Sequence, residues 1–207
     1  MPIDYESLNS AEGWHVTDLF TEERYRQMSK FAPAHLSSIL DIGSGSGRGG
    51  IVLKAIFPAV AITGLDAVKQ RTENSENVYT SLIYSSDKDM PFQNDNFDFI
   101  VAGEVLEHIA VKEVDYFLCE IFRILKPSGV FVLTTPNPND IKLRVRRMSI
   151  LGGSHISQHF PKATKIRMNF TGFRITKVRG TGKTSRYIGG RFPLFVYGSY
   201  LLVAKKI

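Results

Sequence analysis

The stretch Ser38-Ile-Leu-Asp-Ile-Gly-Ser-Gly-Ser-Gly47 decides the fold of this chain. Its first five residues predict a short buried strand, and the glycine cluster lets the backbone turn tightly and approach a ligand with no Cβ in the way. The residues from Gly49 to Phe57 then predict a helix, which Pro58 ends. A buried strand, a glycine-rich turn and a helix in this order indicate an α/β fold with its ligand at the turn.

Short apolar strands alternate with helices on both sides of this turn. Further strands are predicted at 60–66, 82–84, 97–102 and 130–134, helices at 22–36 and 112–125, and two closing strands at 173–178 and 200–204. This alternation implies a mostly parallel sheet that is covered on both faces. The two closing strands, with no clear helix between them, favour an antiparallel hairpin at one edge of the sheet.

Length and composition favour a single domain over residues 1–207, because 207 residues of which 43% are hydrophobic can bury one substantial core. No stretch approaches the ~18 uninterrupted apolar residues of a spanning helix, and the first residues do not resemble a signal peptide. The single cysteine, Cys119, suits a reducing compartment and is predicted to be a small buried residue. We therefore expect a cytoplasmic protein with no transmembrane segment.

Charge is distributed unevenly along the chain. Of the 26 Lys and Arg residues, 15 follow Asp140, whereas none of the 20 acidic residues does. Two interpretations stay open at this point. The C-terminal part faces something anionic, such as phosphate, nucleic acid, a lipid headgroup or an acidic sugar, or it is merely a solvated basic surface.

Two carboxylates beside the glycine turn narrow the choice of ligand. Asp41 stands just before the turn, where it is a poor neighbour for a pyrophosphate but suits a cationic amino-acid ligand. Asp66 ends the second strand, about 20 residues beyond the turn, where a carboxylate accepts hydrogen bonds from ribose hydroxyls. Although Gly45, Gly47 and Gly50 fit G-x-G-x-x-G, the strand runs directly into Gly43, which argues against a nicotinamide cofactor.

Later motifs complete a family pattern: Asp89-Met-Pro-Phe92 with Phe97-Asp98, Gly103-Glu-Val-Leu-Glu-His-Ile109 and Leu125-Lys-Pro-Ser-Gly-Val130. With the glycine turn, they resemble the class I S-adenosylmethionine-dependent methyltransferases over about residues 39–138. The resemblance implies a Rossmann-like, doubly wound, mostly parallel seven-stranded sheet with an antiparallel edge hairpin. It also implies S-adenosylmethionine as cofactor and S-adenosylhomocysteine as product. The cofactor-binding core would span residues 21–138, and the acceptor region with the closing strands would span 139–207.

The same resemblance implies a set of cofactor-binding residues. The methionine part would lie against the glycine turn, the ribose against the end of the second strand, the adenine beyond the third strand and the floor of the site at the end of the fourth. These residues are Asp41, Gly43, Ser44, Gly45, Gly47, Asp66, Ala67, Ser86, Asp87, Met90, Gly103 and Glu104. Many relatives have an Asp where Ser86 stands, and Asp87 would serve in its place with a shift of one residue.

Three histidines, His108, His155 and His159, are candidates for a base that removes a proton from the acceptor. Their alternative roles are ordinary: His108 can satisfy backbone groups at a helix start, and the other two can lie on a solvated loop. No metal is expected in the main interpretation. In the alternative, Glu104, Glu107 and His108 bind a divalent metal with His155 or His159, as in small-RNA 2′-O-methyltransferases and some quinone-precursor O-methyltransferases.

The leading functional hypothesis is O-methylation of a small hydroxylated, anionic acceptor, such as a sugar, a carrier-linked glycan or a similar metabolite. Its alternatives are RNA 2′-O-methylation, less favoured because no RNA-binding module is evident, and a non-catalytic cofactor-binding scaffold or sensor. N- and C-methylation also stay open. The basic stretch 140–151 can lie on a membrane surface, cover the site or form a solvated helix face. The cationic, glycine-rich loop 177–191 suits a phosphorylated or nucleotide-linked acceptor.

Overall fold

A computed structural model describes residues 19–68, 78–85 and 90–207, which form one seven-stranded sheet with helices on both faces. The strands are β1 (Ser38–Ile42), β2 (Ala61–Asp66), β3 (Ser81–Tyr84), β4 (Phe97–Gly103), β5 (Leu125–Pro136), β6 (Phe173–Thr181) and β7 (Ser199–Lys206). The helices are α1 (Leu19–Ser29), α2 (Arg48–Ile56), α3 (Val114–Ile124), α4 (Ile141–Arg146), α5 (Pro161–Thr171) and α6 (Lys183–Ile188). Two 3-10 turns lie at Leu106–His108 and Leu194–Val196.

The strand order is β3-β2-β1-β4-β5-β7-β6. Strands β1 to β5 are parallel, whereas β7 is antiparallel to both β5 and β6. This arrangement confirms the predicted α/β fold, a mostly parallel seven-stranded sheet with an antiparallel edge. The last strand is inserted between β5 and β6, so the closing pair is not a simple hairpin, and α6 lies between its strands in the chain.

The local predictions fail at three places. The first helix begins at Leu19 and ends at Ser29, so it starts three residues before the predicted position 22, and residues 30–36 follow it as turn and coil. Helix α5 was not predicted, because its mixed sequence has no clear apolar stripe; Pro161 at its start and Gly172 after its end are its only strong signals. Cys119 is exposed on α3, since the buried positions of that helix belong to its neighbours at helical spacing.

Two apolar clusters cover the faces of the sheet. One cluster includes the buried side of α3 and Met168 of α5, and the other includes Tyr25 and Met28 of α1 with Val52 and Leu53 of α2. Within the described residues, no helix is long and apolar enough to cross a membrane.

Strand register determines which loops meet. Strands β1, β4 and β5 end at one edge of the sheet, and Pro136 of β5 lies opposite Ser199, the first residue of β7. Thr181, the last residue of β6, also lies opposite Ser199. We call this the carboxyl edge, and the opposite one, where Phe173 pairs with Lys206, the amino edge. The glycine turn and the segments 137–160 and 182–198 therefore all leave the sheet at the carboxyl edge.

Candidate active site

The glycine turn adopts a backbone that requires glycine. Gly43, Gly45 and Gly47 have φ angles of 72°, 47° and 79°, in the left-handed region that side-chain-bearing residues rarely occupy. A Cβ on Gly43 would lie 2.6 Å from Cγ2 of Val105, so that position has no room for a side chain either. The backbone N–H groups of Gly43 and Ser44 both donate to the carbonyl of Leu65, and these hydrogen bonds join the turn to β2.

Asp66 ends β2 beside this turn, as predicted from the sequence. Its Oδ2 accepts a hydrogen bond from the backbone N–H of Gly45 at 2.7 Å, and its Oδ1 accepts one from Val68 at 2.9 Å. The side chain is buried. The carboxylate therefore couples the end of β2 to the glycine turn, so a ligand that reaches Asp66 lies next to both elements.

Asp41 is enclosed within the protein, directly below the turn. The Tyr25 hydroxyl donates to its Oδ1 at 2.6 Å, and the Tyr79 hydroxyl donates to its Oδ2 at 2.7 Å. Burial raises the pKa of Asp41 to about 7, although the two hydrogen bonds act in the opposite direction. Both oxygens thus have tyrosine partners, and a contact with the methionine part of a cofactor stays a prediction.

The two tyrosines also explain two of the glycines that follow the turn. A Cβ on Gly49 would lie 2.1 Å from the Tyr25 ring, and a Cβ on Gly50 would lie 2.5 Å from the Tyr79 ring. The apparent G-x-G-x-x-G match that ends at Gly50 therefore reflects packing beneath the turn, where the third glycine makes room for an aromatic ring.

The residues at the turn fit S-adenosylmethionine on one further observation. Ser44 is buried, and among the described residues its Oγ has no hydrogen-bond partner. A ligand at the turn could supply that partner.

The other predicted cofactor contacts lie in different surroundings. Ala67 is exposed just beyond β2, Met90 is buried in the apolar core, and Gly103 faces the Tyr25 ring. The predicted adenine contacts Ser86 and Asp87 lie outside the described residues.

Glu104 follows β4 in a strained conformation. Its φ angle of 58° is uncommon for a residue with a side chain, and such strain is concentrated at functional sites. The Ser199 hydroxyl donates to its Oε2 at 3.2 Å, and Nε of Arg24 lies 3.5 Å from its Oε1. Glu104 is thus held at the carboxyl edge between the first helix and the start of β7.

Glu107, one turn later, is fully buried in the 3-10 turn. Thr135 donates to its Oε2 at 2.9 Å, whereas its Oε1 has no hydrogen-bond partner among the described residues. Burial, and then the nearby Glu104 carboxylate, raise the pKa of Glu107. The carboxyl edge therefore contains a buried acid that holds its proton more tightly than usual.

His108 and His155 meet at this acid. Their rings lie 5.1 Å apart with an angle of 75° between the planes. Nδ1 of His108 is 3.0 Å from the carbonyl oxygen of Ser154, and Nδ1 of His155 is 3.0 Å from that of Ile150. A carbonyl only accepts hydrogen bonds, so each Nδ1 carries a proton and Nε2 is the basic nitrogen of the neutral ring.

The structure separates His159 from that pair. Its Nε2 is 2.7 Å from the Ser157 hydroxyl, and its ring is buried. Burial lowers the pKa of His159, which favours the neutral ring. The backbone N–H of Ser157 also donates to the carbonyl of Glu107. These hydrogen bonds fix the 154–159 segment against the 3-10 turn Leu106–His108.

A metal ligand set can be drawn from the same residues. One ligand atom each from Glu107, His108 and His155 lies within 4.8 Å of the others. The alternative set predicted from the sequence included Glu104 and His159 as well. The described part of the chain gathers neither of those two into this group.

Sequence reasoning missed the partners that organise the site. These are Tyr25, Tyr79, Arg24, Thr135 and Ser199, and their contacts span from 16 to 95 positions along the chain. The only local signal was the Thr134-Thr135 pair, which follows the apolar stretch Val130–Leu133 within β5. The remaining partners come from elements whose proximity depends on the strand order.

The chain is similar in sequence to known methyltransferases. A family profile described as a methyltransferase domain matches residues 40–133. The ubiquinone biosynthesis O-methyltransferase of Bartonella bacilliformis is 26% identical over 192 residues, which cover 78% of this chain and 72% of that protein. The fatty-acid O-methyltransferase of Mycolicibacterium smegmatis is 27% identical over 125 residues, which cover 58% of this chain and 44% of that protein.

The fold is also that of known structures. A SAM-dependent methyltransferase from Archaeoglobus fulgidus superimposes with a TM-score of 0.72 over 89% of this chain and 92% of that one. The two sequences are 19% identical, so this similarity shows the fold alone. Sequence motifs, strand order and family profile thus all point to the same class of protein.

Proposed function

Because this chain is a class I S-adenosylmethionine-dependent methyltransferase, we propose that it transfers the methyl group to an oxygen of a small hydroxylated acceptor that carries negative charge. The observation that carries this proposal is the pair of imidazoles, His108 and His155, next to a buried acid at the carboxyl edge. Residues 21–138 hold the cofactor in this proposal, and residues 139–207 supply the acceptor side.

The cofactor would lie along the carboxyl edge, against the glycine turn. Gly43, Gly45 and Gly47 admit it close to the backbone, and Ser44 offers a buried hydroxyl that needs a partner. Asp66 would accept hydrogen bonds from the ribose hydroxyls, in exchange for its present bond to Gly45. When bound, S-adenosylmethionine supplies an electrophilic methyl group on a sulfonium.

The chain's own task is then to align the acceptor and to remove one proton. His108 or His155 accepts the hydroxyl proton at Nε2, because Nδ1 of each ring is already committed to a carbonyl. Glu107 lies beside both rings, and in its ionised form it stabilises the imidazolium that results. His159 takes no part in this step and holds the loop in place through Ser157.

An oxygen acceptor is supported by the two relatives, since both are named as O-methyltransferases, one of ubiquinone biosynthesis and one of fatty acids. Negative charge on the acceptor is supported by the cationic segment 182–198 at the carboxyl edge; the predicted loop 177–191 is instead the end of β6 followed by α6. Arg186 of α6 and Arg191 are exposed there, and among the described residues no carboxylate lies within salt-bridge distance of either. A phosphate, a carboxylate or an acidic sugar would complement this segment.

Calorimetric titration of the purified protein with S-adenosylmethionine, S-adenosylhomocysteine and NAD tests the cofactor assignment. We expect the two sulfur cofactors to bind and NAD not to bind. Asp66→Ala should lower their affinity by roughly 1–3 kcal/mol through the lost ribose hydrogen bonds. Asp115→Ala, at an exposed ion pair on α3, is the matched control and should bind normally. Unchanged affinity in Asp66→Ala would refute the proposed ribose contact.

A screen of hydroxylated acceptors in neutral and phosphorylated pairs, with an RNA oligonucleotide included, tests the transfer. We expect the phosphorylated member of a pair to be methylated faster. His155→Ala should then lower kcat by about 100-fold or more without changing cofactor affinity, whereas Phe170→Ala at the amino edge should not. Equal rates on both members of every pair would remove the anionic acceptor from the proposal, and turnover of RNA alone would favour the RNA alternative.

A second candidate is a metal-assisted transfer, which the grouping of Glu107, His108 and His155 favours. The fixed Nδ1–H groups suit it, because a histidine ligand usually donates its other N–H to a carbonyl or carboxylate. A divalent ion there would polarise the acceptor oxygen and favour its deprotonation. Titration with Mg²⁺, Mn²⁺ and Zn²⁺ alone should show one site that His155→Ala abolishes and His159→Ala does not. Absence of metal binding would leave the imidazole base as the mechanism.

A further inference from the structure

We propose that residues 141–151, the rim segment, dock this protein on the surface of an anionic phospholipid bilayer. The segment follows β5 and contains α4. Four of its large apolar side chains are exposed to solvent: Ile141, Val145 (77%), Met148 (58%) and Leu151. Several large apolar side chains exposed close together on a surface mark a site of interaction, because their contact with water is unfavourable.

Cations are interleaved with these apolar residues. Lys142, Arg144, Arg146 and Arg147 are all exposed, and within the described ranges no carboxylate lies within salt-bridge distance of any of them. Asp140, the last acidic residue of the chain, is buried and caps α4 by accepting a hydrogen bond from the backbone of Lys142. Apart from the hydroxyl of Ser149, the rim segment therefore presents only apolar and positive side chains to the solvent.

A second stretch of the chain extends this surface. The 3-10 turn Leu194–Val196 packs beside α4, and Phe195 within it and Phe192 just before it are about half exposed. Asn137, directly after β5, holds the two stretches together. Its side-chain nitrogen donates to the carbonyls of Leu194 and Tyr197 at 2.7 and 3.1 Å, and its backbone N–H donates to Gly198 at 2.8 Å.

This composition selects one kind of partner. Basic side chains bind anionic headgroups, while apolar side chains between them enter the boundary between headgroups and acyl chains. An RNA partner would match the charge, yet it would leave the four aliphatic side chains of the rim segment in water. A second copy of the same face would bring two uniformly basic surfaces together, which their repulsion opposes. A bilayer that contains anionic lipid satisfies both the charge and the apolar groups.

The position of the surface gives the docking an orientation. The rim segment begins after Pro136, and the 192–198 stretch ends at Ser199, the residue opposite Pro136 in the sheet. Both stretches therefore leave the sheet at the carboxyl edge, together with the glycine turn and Glu104. A bilayer bound to the rim segment thus faces the edge that holds the candidate active site. This inference does not depend on which oxygen the enzyme methylates.

Co-sedimentation with vesicles tests the proposal. The purified 207-residue chain is mixed with vesicles of phosphatidylcholine and phosphatidylglycerol, or of phosphatidylcholine alone, at low and high salt. We expect binding to the anionic vesicles, and weaker binding as salt increases. The double variant Arg144→Gln, Arg147→Gln should lower the partition coefficient about 30-fold. Val145→Ser with Met148→Ser should lower it about tenfold in the same vesicles.

A matched pair at the amino edge is the control. Phe170 is 88% exposed near the end of α5, and Lys205 is exposed near the end of β7. Phe170→Ser with Lys205→Gln removes one aromatic and one cation from that edge and should leave vesicle binding unchanged. All substituted side chains are exposed, so unfolding midpoints should match that of the parent protein. Equal loss in this control, or equal binding to neutral vesicles, would overturn the proposal.

An environment-sensitive fluorophore tests the orientation. With Cys119 replaced by Ser, a nitrobenzoxadiazole label at Val145→Cys should shift to shorter wavelength on anionic vesicles, whereas the same label at Phe170→Cys should not. A shift at both positions, or at neither, would contradict the proposed docking. Competition with an RNA oligonucleotide completes the test, because RNA that binds more tightly than the vesicles through Arg144 and Arg147 would assign the surface to nucleic acid.

Discussion

The two edges of the sheet shift the pKa values of their carboxyl groups in opposite directions. At the amino edge, Asp98 accepts hydrogen bonds from Ser37, Ser38 and Lys126. Burial alone would raise the pKa of Asp98, yet these hydrogen bonds hold it well below its usual range. At the carboxyl edge, burial raises the pKa values of Asp41 and Glu107.

The same contrast extends to unpaired polar atoms. Ser44 Oγ and Glu107 Oε1 at the carboxyl edge are buried without a hydrogen-bond partner among the described residues. Each such group lowers the free energy of unfolding by about 1–3 kcal/mol unless a ligand satisfies it. The amino edge therefore stabilises the fold, whereas the carboxyl edge keeps polar groups available for chemistry.

Glu107→Gln should give the largest effect. Glutamine keeps the shape and the hydrogen bond from Thr135 but cannot stabilise a positive imidazolium, so kcat should fall about 100-fold or more. The free energy of unfolding should stay equal or rise, since a buried acid is removed. Steady-state kinetics with the acceptor from the screen, and urea unfolding, measure the two quantities.

Glu120→Gln is the control for this comparison. Glu120 is paired with Arg123 in the second half of α3, and its substitution should lower stability slightly with no change in kcat. If Glu107→Gln retained full kcat, the buried acid would be structural and the contrast between the edges would not reflect catalysis.

Asp41→Asn should remove a dependence of stability on pH. The pKa of Asp41 rises from 3.8 to about 7 on folding, so between these values the folded state holds a proton that the unfolded state has lost. Its contribution to the free energy of unfolding therefore falls as pH rises through this window, by at most about 4 kcal/mol at ~1.4 kcal/mol per pH unit.

Urea unfolding at about pH 5 and about pH 8 measures this effect. The parent protein should lose more stability between the two values than Asp41→Asn, in which an amide that does not titrate lies between Tyr25 and Tyr79. Asp115→Asn on the surface of α3 should behave like the parent. An identical loss in parent and Asp41→Asn would show that Asp41 is ionised in both states.

Asp98→Ala should destabilise the amino edge by about 2 kcal/mol, because the backbone N–H groups of Ser37 and Ser38 lose their acceptor. Cofactor affinity should not change, since this carboxylate lies at the far edge of the sheet. Asp95→Asn, which breaks a more exposed pair with Lys206 and keeps a residue type that tolerates the φ of 55° at this position, should cost at most about 0.5 kcal/mol. A larger effect from Asp95→Asn than from Asp98→Ala would reverse the interpretation of this edge.

Much of the fold could be predicted from local signals. The glycine turn after β1 and the acid that ends β2 were recognised because each depends on a few neighbouring residues. Helix α5 and the end of α1 were missed, because packing against the sheet decides both and neither has a strong amphipathic pattern. The exposure of Cys119 was missed for a different reason, because the prediction was based on residue type, whereas the helical spacing of α3 assigns the buried face to the neighbours of Cys119.

The sequence by itself determined the class of fold, the glycine turn and the set of candidate histidines, since periodicity and turn chemistry act over short stretches of chain. Only the tertiary structure decided which of those histidines meet. It brings His155 to His108 and Glu107, and it commits His159 to Ser157. It also encloses Asp41 between two tyrosines from distant elements. The physical reason is that strand order, set by burial of the whole sheet, determines which loops share an edge.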